Sequence, residues 1–471
     1  MKKRLAIIGN GMAAGRLLDE LVRRGAPTLF DIAVYGEETH GCYNRILLGR
    51  IVGGGTTEEI TLKTSDWYAK QGIAFHAGVI VEKLDAMNRT LHTSTGEEDS
   101  YDVAVFATGS RPIVPPLDEL LHDEKPKDGV FVFRTVEDGE KIRAAARPGS
   151  AAVILGGGLL GLEAAKALCD LGLHVTVVHQ AATLMNKQVD GIGGAFLRKA
   201  VERSGLFVRT GERASGVRGN GRVTGVVLKS GEVLPADLLV LACGIKPRVE
   251  AAKASGVPVQ TGIVVNDILA TAVPGVFALG ECAEHNGNVY GVVPPIWEQC
   301  EVLADILTGA NPQARYRGSK LYTRLKVAGV ETASMGIIDA TQDSDEVIQV
   351  IEDRRGIYRK LVIRDGKLAG AVVVGECESA PTLARWFDRG DPLPPNRLDV
   401  FCSSDVSVAA ADPEICNCHH VNESVIKDAI REGCTSLPQL SAATKAGTGC
   451  GSCRGSLARL ILQNSPKTIP A

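Results

Sequence analysis

The chain has 471 residues, 45% hydrophobic and 23% charged, with a formal net charge of −3. That length exceeds one ordinary core, and the composition is that of a globular enzyme, so several domains are expected. A sequence pI near 6.3 leaves no electrostatic case for nucleic acid or an anionic membrane surface as partner.

The opening Met1-Lys-Lys-Arg4 followed by Leu5-Ala6-Ile7-Ile8 imitates a secretory leader. Gly9-Asn10-Gly11 cuts the apolar run short, so a buried first strand is expected instead. No run nears the roughly 20 apolar residues of a membrane span. Cysteines scattered through regular elements, such as Cys169, Cys243 and Cys300, suit a reducing cytoplasm.

The run from Leu5 to Ile8 leads into Gly9-Asn-Gly11-Met-Ala-Ala14-Gly15 and then an amphipathic helix from Arg16 to Arg24. Strand, glycine turn and helix are the context a dinucleotide fingerprint needs. Gly9 permits the tight turn, Gly11 lets a pyrophosphate approach, and Ala14 lets helix close on strand, with the helix N-terminus facing the phosphates. A second strand from Ile32 to Tyr35 leads to Glu37 and Glu38; Glu37, nearer the strand end, is expected to hold the adenosine ribose. The arrangement recurs at Ala152 to Leu155, Gly156-Gly-Gly158-Leu-Leu-Gly161, and a helix from Leu162 to Leu171. Its second strand, from His174 to Val178, ends at His179, where an NADH fold usually carries an acid. NADH and NADPH therefore both stay open, with NADH favoured.

These residues carry a resemblance. Residues 1 to about 310 are similar to the two-dinucleotide flavoprotein reductases, whose FAD fold is interrupted by an inserted NAD(P)H fold. Ala107-Thr108-Gly109-Ser-Arg111-Pro matches the segment leaving the first FAD half, with Thr108 and Gly109 at the cofactor, and Ala242-Cys-Gly244-Ile-Lys-Pro247 matches the return. Val276-Phe-Ala-Leu-Gly280-Glu281-Cys-Ala283 matches the late flavin motif, with Glu281 where an aspartate usually bonds the ribityl chain. Tyr43-Asn-Arg45-Ile-Leu-Leu, Val177-Val-His179 and Gly280-Glu-Cys-Ala-Glu-His285 resemble the flavin portion of assimilatory nitrite reductase large subunits and the electron-transfer subunits of assimilatory nitrate reductases. The resemblance implies Arg45 near the flavin pyrophosphate and Glu163 near the nicotinamide, the catalytic candidate. Related peroxidases, NADH oxidases and disulfide reductases use a redox cysteine near Cys42, but His40-Gly-Cys-Tyr-Asn-Arg45 lacks their surrounding string, so Cys42 is expected to be structural.

From 311 to 400, β runs at Lys320 to Val327, Ile348 to Ile351, Tyr358 to Ile363 and Leu368 to Val374 suit a β-rich α+β interface domain. Asp391-Pro-Leu-Pro-Pro395-Asn and the small-residue stretch Ala409-Ala-Ala-Asp-Pro413 then read as a linker, bounded at 401–413. Then come Cys416-Asn-Cys418 and Cys450-Gly-Ser-Cys453, flanking helices expected from Glu423 to Gly433 and from Ser436 to Thr444. Thiolates so spaced can converge on one metal centre, with glycine-loop N–H groups near the sulfurs. The segment resembles the bacterioferritin-associated ferredoxin module, which implies a [2Fe–2S] cluster; zinc is the alternative. His419 and His420 are expected to be cap or surface groups, and Cys434 a small buried residue.

The expected architecture is α/β: two nested Rossmann-like folds for FAD and NAD(P)H, the interface domain, and a small helical [2Fe–2S] domain. The boundaries are 1–114, 115–243, 244–310, 311–400, the linker 401–413, and 414–471. Electrons should run from NAD(P)H through FAD and the cluster to a partner, foremost the catalytic subunit of an assimilatory nitrate reductase. A nitrite reductase module, an oxygenase or another ferredoxin-dependent enzyme is the second reading, and an iron- or redox-sensing binding protein the third. With no further cysteine set after Cys453 to hold a sirohaem centre, terminal reduction is expected on another polypeptide.

Overall fold

The computed structural model describes residues 2–327, 329–402, 412, 414–416, 419–449, 451 and 453–464. Cys418 and Cys450 lie outside the described residues, as does most of the 401–413 linker. The chain divides into two compact units, one of Met1–Leu48, Gly55–Ile113 and Ile245–Ser319, the other of Gly49–Gly54, Val114–Gly244 and Lys320–Ala471.

The first unit is built on a five-stranded parallel sheet in the order Val276–Ala278, Val103–Phe106, Lys3–Ile8, Phe30–Gly36, Ala74–Ala77. Leu5 to Ile8 are all buried, as central strands of a parallel sheet covered on both faces must be, so the opening apolar run is a strand. The first helix is Met12–Arg23 rather than Arg16 to Arg24. It begins earlier because Gly11 is its N-cap and the small residues Ala14 and Gly15 pack inward; a Cβ on Gly15 would lie 2.5 Å from the Cys42 Sγ. The segments leaving and re-entering this fold, Ser110–Pro112 and Ile245–Pro247, pair antiparallel, so a whole domain can be inserted between them without pulling the sheet apart.

The second unit contains a sheet of the same design, ordered Val130–Val132, Leu238–Leu241, Ala151–Leu155, His174–His179, Phe207–Thr210, all parallel. Each sheet has a three-stranded antiparallel meander in the sequence after its fifth-placed strand: Val81–Asp85, Thr90–Thr93 and Glu98–Ser100 in one, Ala214–Arg218, Gly225–Leu228 and Val233–Pro235 in the other. The helix after the second glycine turn is Leu159–Asp170, starting three residues before the expected Leu162, again because the middle glycine is the N-cap.

In the same unit the sheet Tyr322–Val327, Val330–Gly336, Lys367–Val374, Ile357–Arg364, Glu346–Glu352 is wholly antiparallel. Val330–Gly336 was not expected, nor was the helix Ala380–Arg389, whose Ala380 and Leu383 pack with Ala371 and Val373 of the sheet. The last module holds a short hairpin, Glu414–Cys416 with Val421–Asn422, and helices Glu423–Arg431, Leu437–Thr444 and Arg454–Asn464, the third unforeseen. Ile426, Ile430, Leu440 and Leu457 are its buried core. Cys434 is half-buried rather than buried. Among the described residues no helix is long and apolar enough to cross a membrane.

Candidate functional site

The first glycine turn meets three separate demands. Gly9 has φ +107°, and a Cβ there would stand 2.3 Å from the Ala107 carbonyl oxygen, so only glycine fits. A Cβ on Gly11 would meet nothing closer than the Arg45 Nε at 4.0 Å, which leaves room above the helix N-terminus for a phosphate. Ala14 is fully buried. Asn10 accepts from the Tyr68 hydroxyl at 2.6 Å while its buried Nδ2 has no protein partner. A buried donor without a protein partner, next to the open Gly11, fits a turn built for a bound dinucleotide.

Around this opening the fold gathers residues distant in sequence. Arg45 donates to the Tyr43 hydroxyl at 2.8 Å and pairs with Glu38. Its guanidinium is within electrostatic reach of Glu281. Glu281 accepts from the Ser110 hydroxyl at 2.7 Å, and the preceding Gly280 abuts Ala13 at the helix start. Glu37 directly follows the strand Phe30–Gly36 and is paired with Arg248. Thr108 donates to the Arg248 carbonyl at 2.6 Å and the Gly109 carbonyl accepts from the Arg248 N–H at 2.9 Å, so the two hinge segments are pinned beside Glu37. Cys42 is fully buried; burial pushes its thiol up to about 12, and Sγ faces the Gly11 carbonyl at 3.4 Å. A thiol so held is not a thiolate nucleophile at neutral pH.

The second turn repeats the device. Gly156 has φ +128° with the Ala242 oxygen 2.0 Å from its virtual Cβ, Gly158 opens on empty space, and a Cβ on Gly161 would lie 2.1 Å from the Gly156 oxygen. The opening at Gly158, at the N-cap of a 12-residue helix, fits a second dinucleotide. His179 turns into the protein: Nδ1 accepts from the Gly157 N–H at 3.1 Å and Nε2 faces the Asn186 Oδ1 at 3.2 Å. With Nδ1 accepting, Nε2 carries the proton, and burial lowers the pKa, so the ring is neutral and both nitrogens are engaged. At the strand end where an acid is usual, this ring's two nitrogens brace the glycine turn.

Glu163 lies in the first turns of the helix Leu159–Asp170, against the segment Gly49–Gly54; a Cβ on Gly49 would touch its Cβ at 3.3 Å. Burial raises the Glu163 carboxyl to about 7, opposed only in part by the charge of Arg50. Arg50 carried no motif and was not singled out from the sequence.

In the last module Cys416 and Cys453 are both buried, one closing a strand and the other preceding a helix. The His419 Nε2 and Thr448 Oγ1, 3.0 Å apart, tie the turn after the first cysteine pair to the loop before the second. Gly447 and Gly451 take the left-handed φ values of +81° and +73° that glycine favours. Two buried thiols on loops so joined fit a thiolate-held cluster. His420 is exposed and paired with Glu414, a surface group as expected.

Residues 3–301 match the family described as pyridine nucleotide-disulphide oxidoreductase, residues 322–390 the rubredoxin NAD+ reductase C-terminal domain, and residues 414–463 the BFD-like [2Fe-2S] binding domain. The chain is 36% identical over 98% of its length to a nitrite reductase [NAD(P)H] of Bacillus subtilis, and 35% over its whole length to the assimilatory nitrate reductase electron transfer subunit of the same organism. It spans 58% and 61% of those relatives' own lengths. Among solved structures, a ferredoxin reductase from Rhodopseudomonas palustris superposes with a TM-score of 0.74 at 25% identity, covering 83% of this chain and 96% of the other. FAD and NAD(P)H are the cofactors of the matched folds and a [2Fe–2S] cluster that of the last module. The chain belongs to the pyridine nucleotide-disulphide oxidoreductase family.

Proposed function

We propose that the chain takes reducing equivalents from NAD(P)H, NADH by preference, and delivers them singly from its C-terminal cluster to the catalytic subunit of an assimilatory nitrate reductase in the cytoplasm. The observation that carries this reading is the joining of two open glycine turns at helix N-termini and a buried cysteine module in one chain, which over its whole length is similar to 61% of a nitrate reductase electron transfer subunit. When bound, FAD supplies acceptance of a hydride and release of single electrons, and a [2Fe–2S] cluster supplies one-electron carriage.

The chain's own work is orientation. Gly9, Gly11 and Ala14 hold the FAD pyrophosphate at a helix N-terminus, Arg45 neutralises it, Glu37 takes the adenosine ribose, and Glu281 takes the ribityl chain beside Thr108 and Gly109. Gly156, Gly158 and Gly161 hold the nicotinamide nucleotide, with His179 bracing their turn. Glu163, near 7 and hence part acid and part carboxylate at neutral pH, can give or accept a hydrogen bond at the nicotinamide. Cys416, Cys418, Cys450 and Cys453 hold the cluster.

The test is NADH-dependent reduction of cytochrome c by the holoprotein. Cys450→Ser should abolish it while NADH still bleaches the flavin; cytochrome c activity left intact in that variant would sink the proposed order. A nitrite reductase acceptor is the second reading, favoured by the 36% identity to a nitrite reductase. NADH-driven turnover with purified nitrate reductase catalytic subunit, against a nitrite reductase haem module, separates the two.

A further inference from the structure

Arg454 follows the buried Cys453 directly and opens the helix Arg454–Asn464. Its side chain folds back over Gly447 and Gly451: Cγ lies 3.4 Å from a virtual Cβ on Gly447, Cδ 3.7 Å from one on Gly451, and Nη1 faces the Gly447 carbonyl at 3.4 Å. The side chain is half-buried, and no carboxylate among the described residues pairs with it. Another cation, Arg50, acts on its charge unfavourably, and Cys453 favourably. Arg50 also lacks an ion pair among the described residues, although Glu163 lies within its electrostatic reach.

Two guanidiniums within electrostatic reach of one another, one of them half out of water, repel, and an anion between or beside them relieves that repulsion. A guanidinium keeps its charge at any accessible pH, so the imbalance cannot be relieved by losing a proton. Four thiolates and two sulfides around two ferric ions carry a net charge of two minus, and one added electron makes it three minus. A fixed positive charge stabilises the more negative state more, so it raises the reduction potential.

We infer that Arg454 tunes the cluster: its guanidinium, seconded by Arg50, makes the centre easier to reduce and so draws single electrons out of the flavin. The inference rests on the [2Fe–2S] reading, and iron and sulfide analysis of the unmodified protein separates the two. A chain holding zinc and no sulfide defeats that reading, whereas a loaded chain whose potential ignores Arg454 defeats only the tuning role.

The experiment is a potentiometric titration of the full-length holoprotein followed by the electron paramagnetic resonance signal of the reduced centre. Arg454→Gln should make reduction about tenfold less favourable, a fall of ~59 mV for a one-electron couple. Arg454→Lys should recover most of that fall. Arg50 is exposed, so Arg50→Gln should produce a smaller fall that disappears at high salt. Should Arg454→Gln fail to load iron, Arg50→Gln decides, since it lies outside the cluster module. A wild-type potential in a fully loaded Arg454→Gln, a fall as deep in Arg454→Lys as in Arg454→Gln, or, where only Arg50→Gln loads, a wild-type potential at low salt, overturns the inference.

Discussion

The two glycine turns are nearly the same object built twice, and the charge they carry differs at one position. In each, the first glycine sits at positive φ against the carbonyl just past the end of a neighbouring strand, and the second faces open space at a helix N-cap. Two residues after the third small residue the first copy has Arg16 and the second Glu163. Arg16 is held by Glu20 at 2.8 Å and Glu301 at 2.9 Å, so its charge serves packing. Glu163 has no ion pair among the described residues, and burial holds it near 7. The backbone device is alike in either setting; what differs is whether the next turn of helix supplies a structural charge or a titratable group.

The sharpest way to break this comparison is at the third small residue. Gly161→Ala puts a methyl 2.1 Å from the Gly156 oxygen, a backbone atom that cannot swing away. It should cost about 3 kcal/mol of stability and most NADH affinity, read by urea unfolding and by nucleotide titration of the flavin-loaded protein. The reverse change in the first copy, Ala14→Gly, should cost only ~1 kcal/mol from helix entropy and a lost buried methyl. Equal losses in the two copies would mean that the turns are not equivalent in packing.

Glu163 gives a pH signature. Its carboxyl keeps a proton in the folded state up to about 7, whereas the unfolded chain releases it near 4.5, so folding stability falls as pH rises through that window and levels off above it. Glu163→Gln should remove this part of the slope, on the order of 3 kcal/mol between the two limits. Urea midpoints of wild type and variant at about pH 5 and about pH 8 measure it. The same substitution should flatten any inflection near neutrality in the rate of flavin reduction by NADH, and an unaltered profile would remove Glu163 from the nicotinamide site.

The smallest effect belongs to the surface pair at the end of the first copy's second strand. Arg248→Gln should change stability by less than about 1 kcal/mol because the Glu37 to Arg248 pair is solvent-exposed. Glu37→Gln should leave stability equally untouched yet weaken FAD retention on dilution; unchanged retention would relieve Glu37 of its ribose role.

Much of the fold was legible because strands buried on both faces read as unbroken apolar runs and glycine turns have no substitutes: Leu5 to Ile8 and Gly156 to Gly161 announced themselves. Helix starts were misplaced in both copies, since Met12 and Leu159 follow an N-cap glycine that lacks the polar side chain by which helix starts are usually recognised. The strand Val330–Gly336 was missed because Thr332 and Ser334, buried on the sheet, break the apolar alternation. Arg50 and Arg454 could not have been found, because nothing local distinguishes a surface arginine from one folded over a cysteine loop.

By itself the sequence determined the module order, the two dinucleotide folds, the glycines of their turns and the cysteine set, all of which are local patterns of spacing and residue type. Only the tertiary structure decided which charges meet. It turned His179 into a brace for its own glycine turn, left Glu163 half-protonated by burial, and laid Arg454 across the loop of the second cysteine pair. The physical reason is that desolvation and Coulomb interaction depend on distances through space, and those are set by chain segments far apart in sequence.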